Sequence, residues 1–246
     1  MKPLLQVKGL SKSHILHEIS FEMEQGEMLA VMGPSGSGKS TLLYNVAGMD
    51  QPSGGAIWLG NTEIVSLSED EKARLRLHRI GFVFQQMNMM ANLNILDNIL
   101  LPALQANRKK GGKSKAELTE KAKVLMEKLS ISNLNNRRIT EVSGGQLQRA
   151  CICRSMMNSP EILFADEPTG ALNQSAAAEV MTELVKLNQE GTTMLIVTHD
   201  SKVASQCGRI LYLLDGRLCG ELALDKSAGE KQREHTVNTW LARMGW

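Results

Sequence analysis

The stretch of sequence that decides the fold reads Gly33, Pro34, Ser35, Gly36, Ser37, Gly38, Lys39, Ser40 and Thr41. It fits the pattern G-x-x-x-x-G-K-[ST], which binds the phosphates of a nucleoside triphosphate. An apolar segment, residues 28–32, precedes it and a helix-like stretch from about Thr41 to Ala47 follows it, as the pattern requires. The glycines allow backbone N–H groups to point inward at phosphate oxygens. Lys39 is predicted to reach the β- and γ-phosphates, and the Ser40 hydroxyl is predicted to bind Mg²⁺.

Two further apolar segments, residues 162–166 and 194–198, show little alternation and predict buried parallel strands. Asp166 and Glu167 stand at the carboxyl end of the first, where such sheets carry their ligand chemistry. Adjacent ionised acids repel unless a cation or hydrogen bonds compensate. We therefore expect Asp166 to hold Mg²⁺ through water, and Glu167 to orient or deprotonate the attacking water. His199 ends the second segment and is a candidate sensor of the γ-phosphate.

The rest of the chain predicts a β layer and a helical insertion around this core. Antiparallel strands are expected at residues 4–7, 19–23 and 56–59. From about Gln86 to Thr140 the pattern changes to helices, with an apolar stripe on residues 115–129, and a second stripe lies on residues 235–246. The predicted class is α/β: a P-loop NTPase core with a mainly parallel sheet, an N-terminal antiparallel β layer and an inserted helical subdomain. The predicted division is a core (1–85 and 155–220), a helical subdomain (86–154) and a C-terminal helical tail (221–246).

Composition limits the class of protein. The 246 residues are 42% hydrophobic and 22% charged, which is typical of globular proteins, and the net charge of +2 argues against a nucleic-acid partner. We find no signal peptide and no run of 18 apolar residues, which predicts a cytosolic or peripheral protein. The basic run Arg108–Lys115 is either a solvated loop or a contact with a partner or anionic lipid.

The cysteines lack zinc or disulfide-framework spacing, so they are expected to be buried in a reducing compartment; they are Cys151, Cys153, Cys207 and Cys219.

A resemblance to a known family rests on a segment that we call the signature segment, Ser143, Gly144, Gly145 and Gln146. Preceded by Val142 in place of Leu, it resembles the LSGGQ motif of ABC ATPases. The other motifs of that family occur in its order: Gln85 (Q-loop), Asp166 and Glu167 (Walker B and catalytic pair), Ala171–Asn173 (D-loop) and His199 (switch histidine).

The resemblance implies an ATPase that uses ATP and Mg²⁺. It assigns catalytic roles to Glu167, His199 and Gln85. It assigns metal binding to Ser40, Gln85 and Asp166, and nucleotide binding to Gly33–Thr41 and to the signature segment. In this family the signature segment of one subunit closes onto the nucleotide held by the other. A homodimer, or a pair with another ATPase, is therefore expected in the ATP-bound state.

Besides Val142, two further departures from the family pattern matter. The segment Leu10–Ser20 is shorter than usual and lacks the aromatic residue that stacks on adenine. His14 stands at that place, so we expect weaker stacking and weak selection of the base. Asn173 replaces the more usual Asp of the D-loop, which keeps the hydrogen-bonding capacity but loses the charge.

Residues 86–102 look like the corresponding stretch of the lipoprotein-release, macrolide-export and bacitracin-resistance type subunits. This resemblance implies a transmembrane permease as partner, docked near Gln85–Asn98, and a peripheral location at the cytoplasmic face of the cell membrane. The implied role is bacterial export or detoxification of an amphiphilic peptide, antibiotic or lipid-linked cargo, with no nucleic-acid partner. Two alternatives remain open at this point: a soluble ABC ATPase of the cluster-assembly type, and a binding-only regulator.

Overall fold

The computed structural model describes residues 3–108, 112–225 and 227–246. The strands are β1 (Leu5–Lys12), β2 (Leu16–Met23), β3 (Met28–Met32), β4 (Gly54–Leu59), β5 (Thr62–Glu63), β6 (Ile80–Val83), β7 (Ile162–Asp166), β8 (Thr193–Val197), β9 (Arg209–Leu214) and β10 (Arg217–Ala223). The helices are α1 (Lys39–Val46), α2 (Glu69–Arg79), α3 (Ile95–Ala106), α4 (Lys115–Lys128), α5 (Gly144–Met156), α6 (Gln174–Gln189), α7 (Ser201–Ser205) and α8 (Glu230–Arg243), with 3₁₀ turns at Ser132–Leu134 and Ile139–Glu141.

The described residues form two compact units. The first comprises the chain up to Ala73 together with Leu187–Trp246, and the second comprises Arg74–Lys186. Residues 109–111 of the basic run lie outside the described residues, so its two interpretations stay open. The subdomain boundaries given from the sequence remain a prediction.

The first unit contains the predicted antiparallel β layer, in the order β2-β1-β4-β5. Leu5 stands opposite Met23 on one side and opposite Leu59 on the other, and all three side chains are buried. Because side chains alternate along a strand, this register places one apolar face toward the core. The three predicted antiparallel strands are confirmed.

The same unit contains the strands that carry the phosphate loop. Strand β3 pairs in parallel with β8, where Val31 faces Val197, and with β9, where Val31 faces Leu211. Every residue of β3 and β8 is buried, which explains their uninterrupted apolar sequences. Strand β10 adds an antiparallel edge to β9. The expected burial of all four cysteines is wrong for Cys219, because it lies at an outward position of this edge strand and is exposed.

In the second unit, β6 and β7 pair in parallel, with Val83 opposite Ala165. Helices α3, α4 and α5 pack on one another. The predicted helical region begins later than expected, since its first helix starts at Ile95 and residues 85–94 form an irregular loop, which we call the 85–94 loop. The Asn94 side chain accepts a hydrogen bond from Asp97 N at 2.7 Å and caps α3.

The α/β class with a helical part is confirmed. Within the described residues, no helix has both the length and the apolarity needed to cross a membrane.

Candidate nucleotide site

The phosphate loop, Gly33–Thr41, runs from the end of β3 into α1, and its first and last glycines, Gly33 and Gly38, sit where a side chain has no room. A methyl group on Gly33 would lie 2.0 Å from Leu213 O, and one on Gly38 would lie 2.9 Å from Leu16 Cδ2. Gly38 also has a φ of 99°, a left-handed conformation that glycine adopts without strain. The loop therefore depends on glycine at both ends.

The loop is chemically suited to phosphate. Lys39 is only 8% exposed, and its Nζ donates to Gly33 O at 2.7 Å and to Pro34 O at 2.9 Å, which holds the ammonium group over the loop. Ser37 Oγ is buried without a hydrogen-bond partner in the described part of the chain. Helix α1 begins with neither a side-chain cap nor an acidic residue in its first turn. Its N-terminal dipole thus remains available to an anion, and the residues present fit a nucleoside phosphate.

The β1–β2 turn, which carries His14, lies beside this loop. Gly216 links the two, because its carbonyl accepts from His17 N at 2.8 Å while its own N–H donates to Ser37 O at 3.1 Å. His14 is exposed and has a φ of 64°, and the next residue, Ile15, is 40% exposed. The turn is therefore placed next to the phosphate loop, as a base-contacting segment must be.

His199 reaches the same edge of the sheet as the phosphate loop. It follows β8, which runs parallel to β3, and Thr198 N donates to Val31 O at 3.1 Å. The imidazole is exposed at this edge. The first unit thus brings together Gly33–Thr41, His14 and His199.

The second unit brings together Gln85, Asp166 and Glu167. Because β6 and β7 are parallel and in register, the residues that follow them emerge at the same edge. Asp166 is 3% exposed, and Glu167 adopts a left-handed φ of 46°. A methyl group on Gly170 would lie 3.4 Å from Glu167 Cβ and 3.6 Å from Gln85 Nε2. Strain at a non-glycine residue such as Glu167 is typical of functional positions.

The signature segment forms the N-cap and the first turn of α5. Ser143 Oγ accepts from Gln146 N at 3.3 Å, and Gln146 Oε1 accepts from Ser143 N at 2.9 Å. This capping box fixes the start of the helix. Ser143 and Gly144 are exposed, so the N-terminal end of α5 is accessible to an anion.

The D-loop is joined to the signature segment by packing. Asn173 Oδ1 accepts from Ala176 N at 2.9 Å and caps α6. A methyl group on Gly145 would come within 2.9 Å of Ala176 Cβ, so the two helix starts touch. Further along the helices, Arg149 pairs with Glu179 at 2.6 Å. These contacts make α5 and α6 a single block around the signature segment.

Sequence reasoning gave no role to the side chains that shape the 85–94 loop. Arg154 on α5 donates to Asn88 O at 2.7 Å and to Met87 O at 3.0 Å. Asn98 is fully buried, and its amide binds the backbone of Met90 in both directions, at 2.7 and 3.1 Å. A polar Asn98 within the apolar stripe of α3 was the one available signal, and the partners of Arg154 lie too far away in sequence to be predicted.

Comparison with known proteins agrees with this geometry. The family model described as ABC transporter matches residues 16–170, more than half of the chain. A macrolide export ATP-binding/permease protein MacB of Campylobacter jejuni is 39% identical over 220 residues, covering 89% of this chain and 34% of that protein. The corresponding protein of Bdellovibrio bacteriovorus is 38% identical over 254 residues, covering 98% of this chain and 38% of that protein. The chain thus spans about a third of the length of these curated relatives.

Among solved structures, the dimeric ATP-binding cassette MJ0796, described in a post-hydrolysis state with ADP and Pi, matches with a TM-score of 0.82 and 35% identity. The match covers 90% of this chain and 99% of that one. CbiO1 from Clostridium perfringens, described as part of an ABC transporter complex, matches with a TM-score of 0.83 and 27% identity over the whole of this chain. The fold and the site define an ATP-binding cassette, and the chain belongs to the ABC transporter family. The predicted family and enzyme class, an ABC-type ATPase, are confirmed.

Proposed function

We propose that this chain binds and hydrolyses ATP to energise a transmembrane permease that exports an amphiphilic peptide, antibiotic or lipid-linked cargo in bacteria. The observation that carries the proposal is the pairing, in one chain, of a glycine-cradled phosphate loop with an accessible signature segment at a helix start. Relatives named as macrolide export ATP-binding/permease proteins support the export direction. They do not favour the soluble cluster-assembly alternative.

The proposed catalytic roles follow from where each side chain lies. Glu167, held at the end of β7, acts as the base that orients and deprotonates the attacking water. Gln85 lies beside it and positions that water, and His199 contacts the γ-phosphate from the edge of β8. His14 and the phosphate loop hold the nucleotide, with Lys39 on its β- and γ-phosphates.

Oxygen donors suited to Mg²⁺ are present in both units: the Ser40 hydroxyl, the Gln85 amide and the Asp166 carboxylate. When bound, Mg²⁺ neutralises charge that develops on the phosphates. Asp166 would hold it through water, which agrees with the nearly complete burial of its carboxylate at the strand end.

We further propose a head-to-tail dimer of two copies, or of this chain and a second ATPase. The signature segment of each subunit covers the nucleotide of the other. ATP favours closure because it contacts both faces, and hydrolysis removes that differential contact. The complex is placed at the cytoplasmic face of the cell membrane, with this chain attached through the permease.

The experiment that tests the proposal is affinity purification of the Glu167→Gln form from bacterial membranes in the presence of ATP. The amide cannot accept the proton, so hydrolysis is expected to fall about 10²-fold or more while ATP stays bound. The closed complex should then retain a polytopic membrane protein. The Lys39→Ala, Glu167→Gln double variant is the control, because it loses the phosphate contact and with it the ATP dependence. Recovery of soluble partners alone would contradict the transport role.

A further inference from the structure

The segment that carries His199 is anchored on its two sides by different means. On the N-terminal side, Thr198 N is bonded to the sheet at Val31 O. On the C-terminal side, Asp200 N donates to Thr198 Oγ1 at 3.0 Å, and Asp200 Oδ1 accepts from Lys202 N at 2.8 Å, which starts α7. The position of His199 therefore depends on β8 and on α7 together.

Helix α7 is only five residues long, and a helix of this length is unstable in water without tertiary support. Its support comes from burial of Val203 and Ala204, with β3 on one side and α8 on the other. Of these two contacts the one with α8 is the more extensive, so we expect it to decide whether α7 stays fixed or frays.

The N-terminal part of α8 holds the end of α7 through one side chain. Arg233 Nη2 donates to the carbonyl of Cys207, two residues beyond α7. Arg233 is half-buried, and its Nε is buried without a hydrogen-bond partner among the described residues. One turn further along α8, Val237 is fully buried.

The C-terminal part of α8 also packs closely against its neighbours, Tyr212 and β10. The Trp240 ring meets Tyr212 edge-on, with ring centroids 6.1 Å apart. A methyl group on Gly220 would lie 3.0 Å from Trp240 Cζ2 and 2.8 Å from Met244 Cε, so α8 packs closely on β10 at this glycine. The helix is thus fixed at both ends and can act as a support for α7.

We propose that α8 is an internal brace for the hydrolytic site and that Arg233 is a positioning residue for His199. The guanidinium fixes the end of α7, α7 fixes Asp200, and Asp200 limits the movement of His199. The inference rests on the proposed function in so far as His199 contacts the γ-phosphate. It adds a dependence of hydrolysis, and not of nucleotide binding, on a helix that lies outside the family match at residues 16–170.

The test is a double-mutant cycle between Arg233→Ala and His199→Ala, with Arg243→Ala as the matched control. Arg243 lies on the same helix and is exposed. Arg233→Ala is expected to lower kcat about 3- to 10-fold in the wild-type background, with an unchanged Kd for ATP by calorimetry. It should have no effect on the residual rate of the His199→Ala form, because the residue that it positions is already missing. Arg243→Ala should leave kcat and Kd unchanged.

An equal fall in kcat on Arg233→Ala in both backgrounds, or a parallel loss of ATP affinity, would contradict the proposal that α8 positions His199. Amide hydrogen exchange gives a readout that does not need activity: exchange at residues 198–206 should rise in Arg233→Ala and stay unchanged in Arg243→Ala. Unchanged exchange in Arg233→Ala would also overturn the inference. Failure of the wild-type chain to hydrolyse ATP would count against the proposed function, and the exchange result would still decide whether α8 supports α7.

Discussion

At the residue scale, the β1–β2 turn, where the family resemblance implies the contact with the base, carries His14 in place of the expected aromatic ring. The residues at the tip of the β1–β2 turn are His14, with a left-handed backbone, and the half-exposed Ile15. Neither an imidazole in this conformation nor an aliphatic side chain offers the stacking surface of tyrosine. Discrimination between purines is therefore expected to be weak.

The corresponding prediction concerns GTP. In a competition assay, GTP should displace ATP with a Kd within about tenfold of that of ATP, because weak stacking by His14 gives the site little preference for one purine over the other. His14→Tyr should tighten ATP binding by restoring a stacking ring, and His14→Ala is the control for loss of the imidazole. Strong exclusion of GTP by the unmodified chain would contradict the prediction.

A second residue-scale prediction concerns the thiols. Burial raises the pKa of Cys151 to about 11 and that of Cys207 to about 12, and it raises the pKa of Cys153 as well. Because the thiolate is the reactive form, a raised pKa keeps these buried groups protonated and unreactive at neutral and mildly alkaline pH. Iodoacetamide at pH 8 should modify the exposed Cys219 in the native protein and the other three only after unfolding. Mass spectrometry of the peptides decides this, and labelling of Cys151 at the rate of Cys219 would show that α5 opens readily.

At the scale of elements, α5 and α6 connect several functional segments within one unit. The signature segment starts α5, Asn173 caps α6, and Ala176 fills the space that Gly145 leaves. Near its C-terminal end, α5 also carries Arg154, which holds the 85–94 loop. A movement of α5 would therefore displace both the signature segment and this loop.

The cap of α6 gives a prediction about stability and assembly. Asn173→Ala should lower the free energy of unfolding by about 1 kcal/mol, since Ala176 N loses its acceptor. Asn173→Asp should be neutral or slightly stabilising, because the carboxylate also accepts this bond and suits a helix N-terminus. Urea denaturation measures both. In the Glu167→Gln background, Asn173→Ala should in addition weaken ATP-dependent dimerisation. If Asn173→Ala dimerises as tightly as Asn173→Asp, the cap of α6 does not influence the signature segment.

At the scale of the whole molecule, the 85–94 loop is the expected contact with the permease. Met90 is 48% exposed, while its backbone is held on both sides by the buried Asn98. The loop therefore presents an apolar side chain whose replacement leaves the loop backbone supported. A single exposed apolar side chain is common on protein surfaces, so the expected docking rests on the resemblance of residues 86–102 to permease-coupled subunits and not on this exposure.

Met90→Glu is accordingly expected to abolish co-purification of the permease while leaving the melting temperature and basal ATP hydrolysis unchanged. Val124→Glu is the matched control, because Val124 is 54% exposed on α4 of the same unit and lies outside the loop. Pull-down from membranes distinguishes the two variants. Retained permease in Met90→Glu would move the docking surface elsewhere.

Much of the candidate site could be proposed from the sequence because its motifs are local. The phosphate loop, the signature segment and the Asp166–Glu167 pair each consist of a few consecutive residues whose conformational preferences act on their own backbone. The buried strands were equally evident, since a run such as residues 28–32 has no polar face to expose. These local patterns were sufficient to predict the ABC family and the ATPase class.

What only the tertiary structure decided depends on residues far apart in the chain. The sequence predicted helix from Gln86, but Arg154 and Asn98 hold residues 87–90 in an irregular loop. Burial of Cys219 was expected, yet its strand lies at an edge. The role inferred for Arg233 rests on Cys207 O, which is close only because α8 packs on α7. Such contacts follow from how elements pack, and packing is a sum of non-local interactions that no short stretch of sequence specifies.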